Sequence, residues 1–137
     1  MINQTLLKNE KCPDKSRGKM KNKRNDLSER LLDFAAEIIK LVVKLNRSAV
    51  GRHIAGQLLR SSTSTGANYE EACGAGSRAD FIYKLQIVLK ELRETLYWLR
   101  FIKKSKLVSG TALELFIQEA RELTNIIAKS IVTVKKK

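Results

Sequence analysis

"RSSTSTGANYEEA", residues 60–72, is the stretch on which the fold turns. Its Ser, Thr, Asn and Gly are the residues of a loop. Its spacing is that of a helix. Gln57, Arg60, Ser64, Asn68 and Glu71 recur at steps of three or four, with Ser61 beside Arg60, so they share one helix face. Small hydroxyls inside a helix satisfy themselves on a carbonyl one turn back. The segment therefore reads as helix carrying a narrow polar seam, and it continues a helix that starts near Ala49 and ends near Cys73.

Working outward, three more helices appear. The first starts at Asn25 or Asp26, either a suitable N-cap. Leu27, Leu31, Phe34, Ala35, Ile38, Leu41, Val42 and Leu45 form its apolar stripe. "NRS" at 46–48 breaks it, and Ser48 is placed to cap the second helix. Gly51, Gly56 and Gly66 each cost about 1 kcal/mol against Ala in a helix, which points to close helix–helix approach as their use. "GAGS" at 74–77 ends the second helix, with Gly74 suited to a left-handed C-terminal position. Ser77 and Asp80 open the third helix as a capping pair. Its stripe runs from Phe81 through Leu85, Val88, Leu92 and Leu99 to Ile102. After "KSKLVSG", Thr111 and Glu114 form another capping-box start, and Leu113, Ile117, Ala120, Leu123, Ile127, Ile131 and Val134 carry helix four. Four helices of roughly 20–27 residues, about 30–40 Å long, joined by short turns, predict an all-α, antiparallel up-down-up-down four-helix bundle. The expected division is a disordered basic extension over 1–24, the bundle over 25–134 and a basic tail over 135–137.

The chain has 137 residues, with 27 Lys and Arg against 14 Asp and Glu, a formal net charge of +13. Much of the excess is terminal. Residues 1–25 hold Lys8, Lys11, Lys15, Arg17, Lys19, Lys21, Lys23 and Arg24 against Glu10 and Asp14, and Lys135, Lys136 and Lys137 end the chain. Basic tails attract polyanions or serve solubility alone. Met20 would serve as well as Met1 for a translation start. Cys12 and Cys73 stand far apart without neighbouring Cys or His, which predicts free thiols in a reducing compartment and no zinc site. No apolar run has the length of a signal peptide's core or a membrane span. The expectation is a cytoplasmic protein with no membrane contact.

Antiparallel register about the 74–77 turn sets Arg60 opposite Glu91, Gln57 opposite Glu94, and Glu71 opposite Asp80 with Lys84 one turn along. A buried Arg–Glu pair of this kind fixes register more than it adds stability. Glu71, Glu91 and Glu94 with a Ser or Tyr69 would also suit general acid–base work, but no residue set spells out a reaction. Carboxylates on bundle helices suit di-iron sites only with Glu-x-x-His pairs. The single histidine, His53, has no glutamate three residues before it, so no metal or other cofactor is expected, and His53 reads as a surface or helix-packing residue. Tyr97 and Trp98 read as core packing or a subunit contact rather than as a base-stacking platform. In helix four, Phe116 with Ile117 and Ile126 with Ile127 make the apolar face wider than one bundle seam needs, which suggests an oligomer.

The stretch "QLLRSSTSTGANYEEACGAGSRADFIYKLQIVLKELRETLYWL", residues 57–99, resembles the core signature of the bacterial four-helix bundle proteins first met as open reading frames in intervening sequences of 23S ribosomal RNA genes. Related proteins are accessory factors of diversity-generating retroelements. The resemblance rests on Gln57, Arg60, Ser61, Ser64, Asn68, Glu70, Glu71, the Ser77–Phe81 segment, Lys84, Leu85, Lys90, Glu91, Glu94, Thr95 and the Tyr97–Leu99 end. It implies an up-down bundle assembled as a homopentamer, association with nucleic acid and, in the retroelement relatives, a reverse transcriptase partner. The long basic N-terminal extension departs from many of these proteins.

Charge and resemblance together predict a non-catalytic, oligomeric scaffold that binds nucleic acid, structured RNA above all. In an up-down bundle the first and third turns lie at one end. That end would gather Lys44, Arg47 and Arg52 with Arg100, Lys103, Lys104 and Lys106, a set suited to phosphates without sequence choice. The alternative is a scaffold that docks one protein partner without nucleic acid.

Overall fold

The computed structural model describes the backbone of residues 18–137 and the side chains from Asp26 onward. Four helices follow one another: α1 Gly18–Leu45, α2 Ala49–Cys73, α3 Arg78–Ser105 and α4 Thr111–Lys135. Short turns fold them into the up-down bundle that the stripes predict. The neighbours are α1–α2, α2–α3 and α3–α4, and the ring closes where α1 meets α4, the most open of the four seams. Leu31, Ile38, Leu58, Leu85, Val88, Leu92, Leu99, Ile102, Leu123 and Ile127 are fully buried at its axis.

Helix starts follow local chemistry. Ser48 caps α2 by accepting from the Gly51 N–H at 3.0 Å, and Ser77 caps α3 by accepting from the Asp80 N–H at 3.1 Å. The predicted Thr111 cap is corrected: Thr111 is already helical, and Gly110 precedes it at φ 121° with no side-chain cap. Only glycine adopts that backbone readily. Gly74 does end α2, but at φ −94° rather than left-handed. The left-handed C-cap is Lys106, φ 59°, after α3. α1 begins at Gly18, ahead of the expected Asn25 or Asp26 start. Lys, Arg and Met are good helix formers and no proline intervenes, so a helix anchored at Leu27 extends backwards through residues 18–24, which the sequence assigned to a disordered extension. Residues 1–17 of that extension lie outside the described residues.

The three glycines of α2 differ in role. A Cβ on Gly51 would lie 1.8 Å from the Leu45 carbonyl oxygen, so the first turn demands glycine there. A Cβ on Gly66 would meet Leu31 at ordinary contact distance, and Gly56 has no neighbour where its Cβ would stand. Close approach thus explains Gly51, is permitted by Gly66, and does not apply to Gly56.

Helix four's doubled apolar positions are used inside the monomer: Ile117, Ile126 and Ile127 are buried, and the Phe116 ring meets Phe34 edge-on, centroids 6.4 Å apart. The apolar surface left over lies instead on α1, where Leu32, Ile39 and Val43 are 50–59% exposed. Cys73 is disulfide-bonded, which corrects the expectation of free thiols. The other cysteine, Cys12, lies outside the described residues, and the sequence spacing carried no pairing signal. Among the described residues, no helix is long and apolar enough to cross a membrane.

Candidate nucleic-acid interface

The polar seam runs along the α2–α3 interface. Arg60 donates to Glu91 at 3.0 Å and also to Glu94. Its pKa is raised, first by the Glu94 hydrogen bond, and the charges of Glu91 and Glu94 add to this against an opposing cost of burial. The guanidinium is 48% exposed while Glu91 is only 8% exposed, so the buried partner is the carboxylate, not the arginine. Glu94, expected opposite Gln57, instead accepts from Arg60 and from the Trp98 indole at 3.3 Å. Glu71 pairs with Lys84, the residue expected one turn along, at 2.7 Å, and that bond raises the Lys84 pKa.

The hydroxyls of the opening stretch satisfy themselves as expected. Ser64 donates to the Arg60 carbonyl at 2.8 Å, and Asn68 to the Ser64 carbonyl at 2.9 Å. Deeper in, Ser61, Ser62, Thr65 and Thr95 are fully buried. Thr95 Oγ1 lies 2.8 Å from Ser61 Oγ across the interface and donates to the Glu91 carbonyl at 2.9 Å. Such small side chains let the two helices sit close while leaving no hydroxyl unpaired. With Glu71, Glu91 and Glu94 in ion pairs and Tyr69 buried, the geometry describes a register lock. Among the described residues, no group of three His, Cys, Asp or Glu side chains is placed to hold a metal ion.

A second polar lock lies outside the sequence expectations. Arg30 of α1 is buried and grips Glu119 of α4 with two nitrogens, at 2.7 and 2.8 Å, and Glu122 at 3.1 Å. The Glu119 bond is the main cause of its raised pKa. Arg30 Nη1 is buried with no hydrogen-bond partner. A signal does stand in the sequence: Arg30 falls within the Leu27–Leu31–Phe34 stripe, where a charge needs a partner from another helix. Arg30 and Glu119 themselves line, with Phe34 and Phe116, a groove of about 880 Å³ between α1 and α4.

The first and third turns meet at one end of the bundle. Lys44, Arg47, Ser48 and Gly51 line a depression of about 500 Å³ together with Leu107, Val108 and Ser109. Lys44, Arg47, Arg52, Arg100, Lys103, Lys104 and Lys106 are all exposed. Lys103 is partly neutralised by Glu114 at 2.7 Å. Lys103 and Lys104 occupy the last turn of α3, where the helix dipole favours cations. The edge-on contact of His53 with Trp98, centroids 6.5 Å apart, sets the start of α2 beside the end of α3, so Arg52 and Arg100 stand at the same level. At the other end, Arg78 donates to the Val134 carbonyl and ties the start of α3 to the end of α4.

Tyr97 is 55% exposed and Phe101 39%. Core packing is therefore not the role of Tyr97, whereas Trp98 is partly buried against the core. The Tyr97 and Phe101 rings are near-parallel, 23° apart, with centroids separated by 6.4 Å, and Trp98 stands edge-on to both.

The family model described as 23S rRNA-intervening sequence protein matches residues 23–129. The crystal structure of a protein of unknown function from the S23 ribosomal protein family of Bacteroides thetaiotaomicron VPI-5482 is similar, with a TM-score of 0.73 and 36% identity over 79% of this chain and 96% of that one. No curated protein matches the chain.

Proposed function

We propose, starting from the fact that this chain belongs to the 23S rRNA-intervening sequence protein family, that it is a non-catalytic, oligomeric scaffold binding nucleic acid, structured RNA above all, through the basic end of the bundle. The observation that carries this reading is the meeting of the first and third turns in one depression edged by Lys44 and Arg47, with Arg100, Lys104 and Lys106 exposed at the same end. Glu114 is the acidic group paired there, and it engages Lys103 alone. Phosphates are the chemistry such a cluster attracts, without a choice of sequence.

Oligomerisation belongs to the same proposal. Leu32, Ile39 and Val43 stand at heptad-like steps on the outer face of α1, an apolar surface that a second copy would cover. A homopentamer is the assembly that the family resemblance implies. In a ring the basic ends would repeat, and several weak phosphate contacts on one rigid body would reinforce one another. The reading is tested by titrating a labelled, folded RNA at increasing salt. Affinity that falls steeply with salt supports it. Absence of binding at low salt rejects it in favour of a scaffold for a protein partner.

A further inference from the structure

We propose that the exposed Tyr97–Phe101 pair on α3 is a stacking platform for unpaired RNA bases, beside the basic end that holds the phosphates. This deepens the nucleic-acid reading and rests on it.

Tyr97 and Phe101 are one helical turn apart, so their rings leave the same face of α3. Both are exposed, and they lie within 23° of parallel. A base laid on one ring is thus already close to the orientation the other requires. Trp98 backs the pair: its ring stands edge-on to Tyr97 at 5.2 Å and to Phe101 at 6.1 Å, and its indole N–H is tied to Glu94. The platform is held from behind and open in front.

Its charge setting favours RNA over a second protein. Arg93 and Arg100 flank Tyr97 at helical neighbour spacing, and Lys104 follows Phe101 by one turn; all three are exposed. The acidic residue on that face, Glu94, is already occupied by Arg60 and Trp98. Exposed aromatic faces interleaved with Arg and Lys are what proteins use to hold unpaired strands, since every base has a face to stack and every linkage a phosphate. Duplex RNA hides its base faces in its own stack and meets only the charges.

Trp98 is the sole tryptophan, so its fluorescence reports on the platform directly. The experiment titrates the full-length protein with a labelled oligouridine of about 12 nucleotides and with a blunt RNA duplex, following label anisotropy and Trp98 emission. The expected result is Trp98 quenching by the single strand and not by the duplex. The double variant Tyr97→Ala/Phe101→Ala should lose roughly tenfold or more in affinity for the single strand, at about 1–3 kcal/mol per stacked base, and stay within about twofold for the duplex. A second variant, Tyr97→Leu/Phe101→Leu, keeps apolar bulk and should lose single-strand affinity equally, so a folding defect in the first does not decide the matter. Equal losses on both RNAs, or no loss on the single strand, overturn the platform while leaving the basic end standing. A change of oligomeric state in either variant, read by light scattering, overturns it by making the pair a contact between copies. If the unaltered protein binds neither RNA, the nucleic-acid reading itself falls.

Discussion

Arg60 of α2 donates to Glu91 of α3 at 3.0 Å, and the two are unequally buried: the guanidinium is half in solvent while the carboxylate is almost wholly enclosed. The pair therefore protects Glu91 more than it stabilises Arg60. Arg60→Ala should cost about 1–3 kcal/mol, because it leaves a buried carboxylate unpaired. Glu91→Ala should cost less, since Arg60 can turn to water or keep Glu94. Chemical denaturation of both single variants and the double variant measures the coupling. Additive losses would remove the lock.

Arg30 is the more deeply buried cation, and its two carboxylates come from one helix. Removing it leaves Glu119 and Glu122 facing each other at the open α1–α4 seam. Arg30→Ala should destabilise by about 3–5 kcal/mol, and Arg30→Met by less, because its side chain refills the stem's space. Thermal and urea unfolding rank the two. Equal stability of Arg30→Ala and the unaltered protein would contradict the burial and bonding described.

Two glycines of α2 predict effects of opposite sign. Gly51→Ala places a Cβ on the Leu45 carbonyl, and the overpacking should cost about 3 kcal/mol. Gly56→Ala meets nothing and should stabilise the monomer by about 0.4–1 kcal/mol through the unfolded chain. Melting temperatures that moved the same way for both would refute this reading of the first turn.

The four helices were legible because each repeats an apolar stripe every three or four residues, and Ser48 and Ser77 mark two starts by caps that need only local sequence. The Arg60–Glu91 pair was legible because a short turn fixes the register of α2 against α3. For Arg30 only the need for a partner was legible, from its place in the apolar stripe; the partner was not, since it lies 89 positions away on a helix with which α1 shares no turn. The fate of Phe116 and Ile126 was hidden for a similar reason: a wide stripe looks the same whether the monomer or a second copy covers it. Tyr97 sits next to buried thirds of its helix, so spacing alone did not show that its ring faces solvent. Gly110 was not legible as the start of α4 because Thr111–Glu114 has the form of a cap, and only the φ of 121° shows which residue turns the chain.

Leu32, Ile39 and Val43 on the outside of α1 predict association between copies. Light scattering at micromolar concentration should give a multiple of the monomer mass, with a pentamer as the expected state. Ile39→Glu should shift it towards monomer while leaving the helical circular dichroism unchanged, because Ile39 is half exposed in the single chain. A monomer in the unaltered protein would refute the assembly.

Whether RNA is held by the basic end of the bundle or by the N-terminal arm is decided by one comparison. RNA affinity is measured across a salt series for the full chain, for Lys103→Glu/Lys104→Glu/Lys106→Glu, and for the chain lacking residues 1–19. The three lysines are exposed, and the one ion pair removed, Lys103–Glu114, is a surface pair worth about 0.2–1 kcal/mol, so the fold should survive reversal. The triple reversal should weaken binding far more than the deletion does, and it should flatten the salt dependence by roughly one unit of slope for each phosphate no longer engaged. Binding abolished by the deletion and left intact by the triple reversal would contradict the basic end as the binding surface, and would move the affinity from the bundle to the arm.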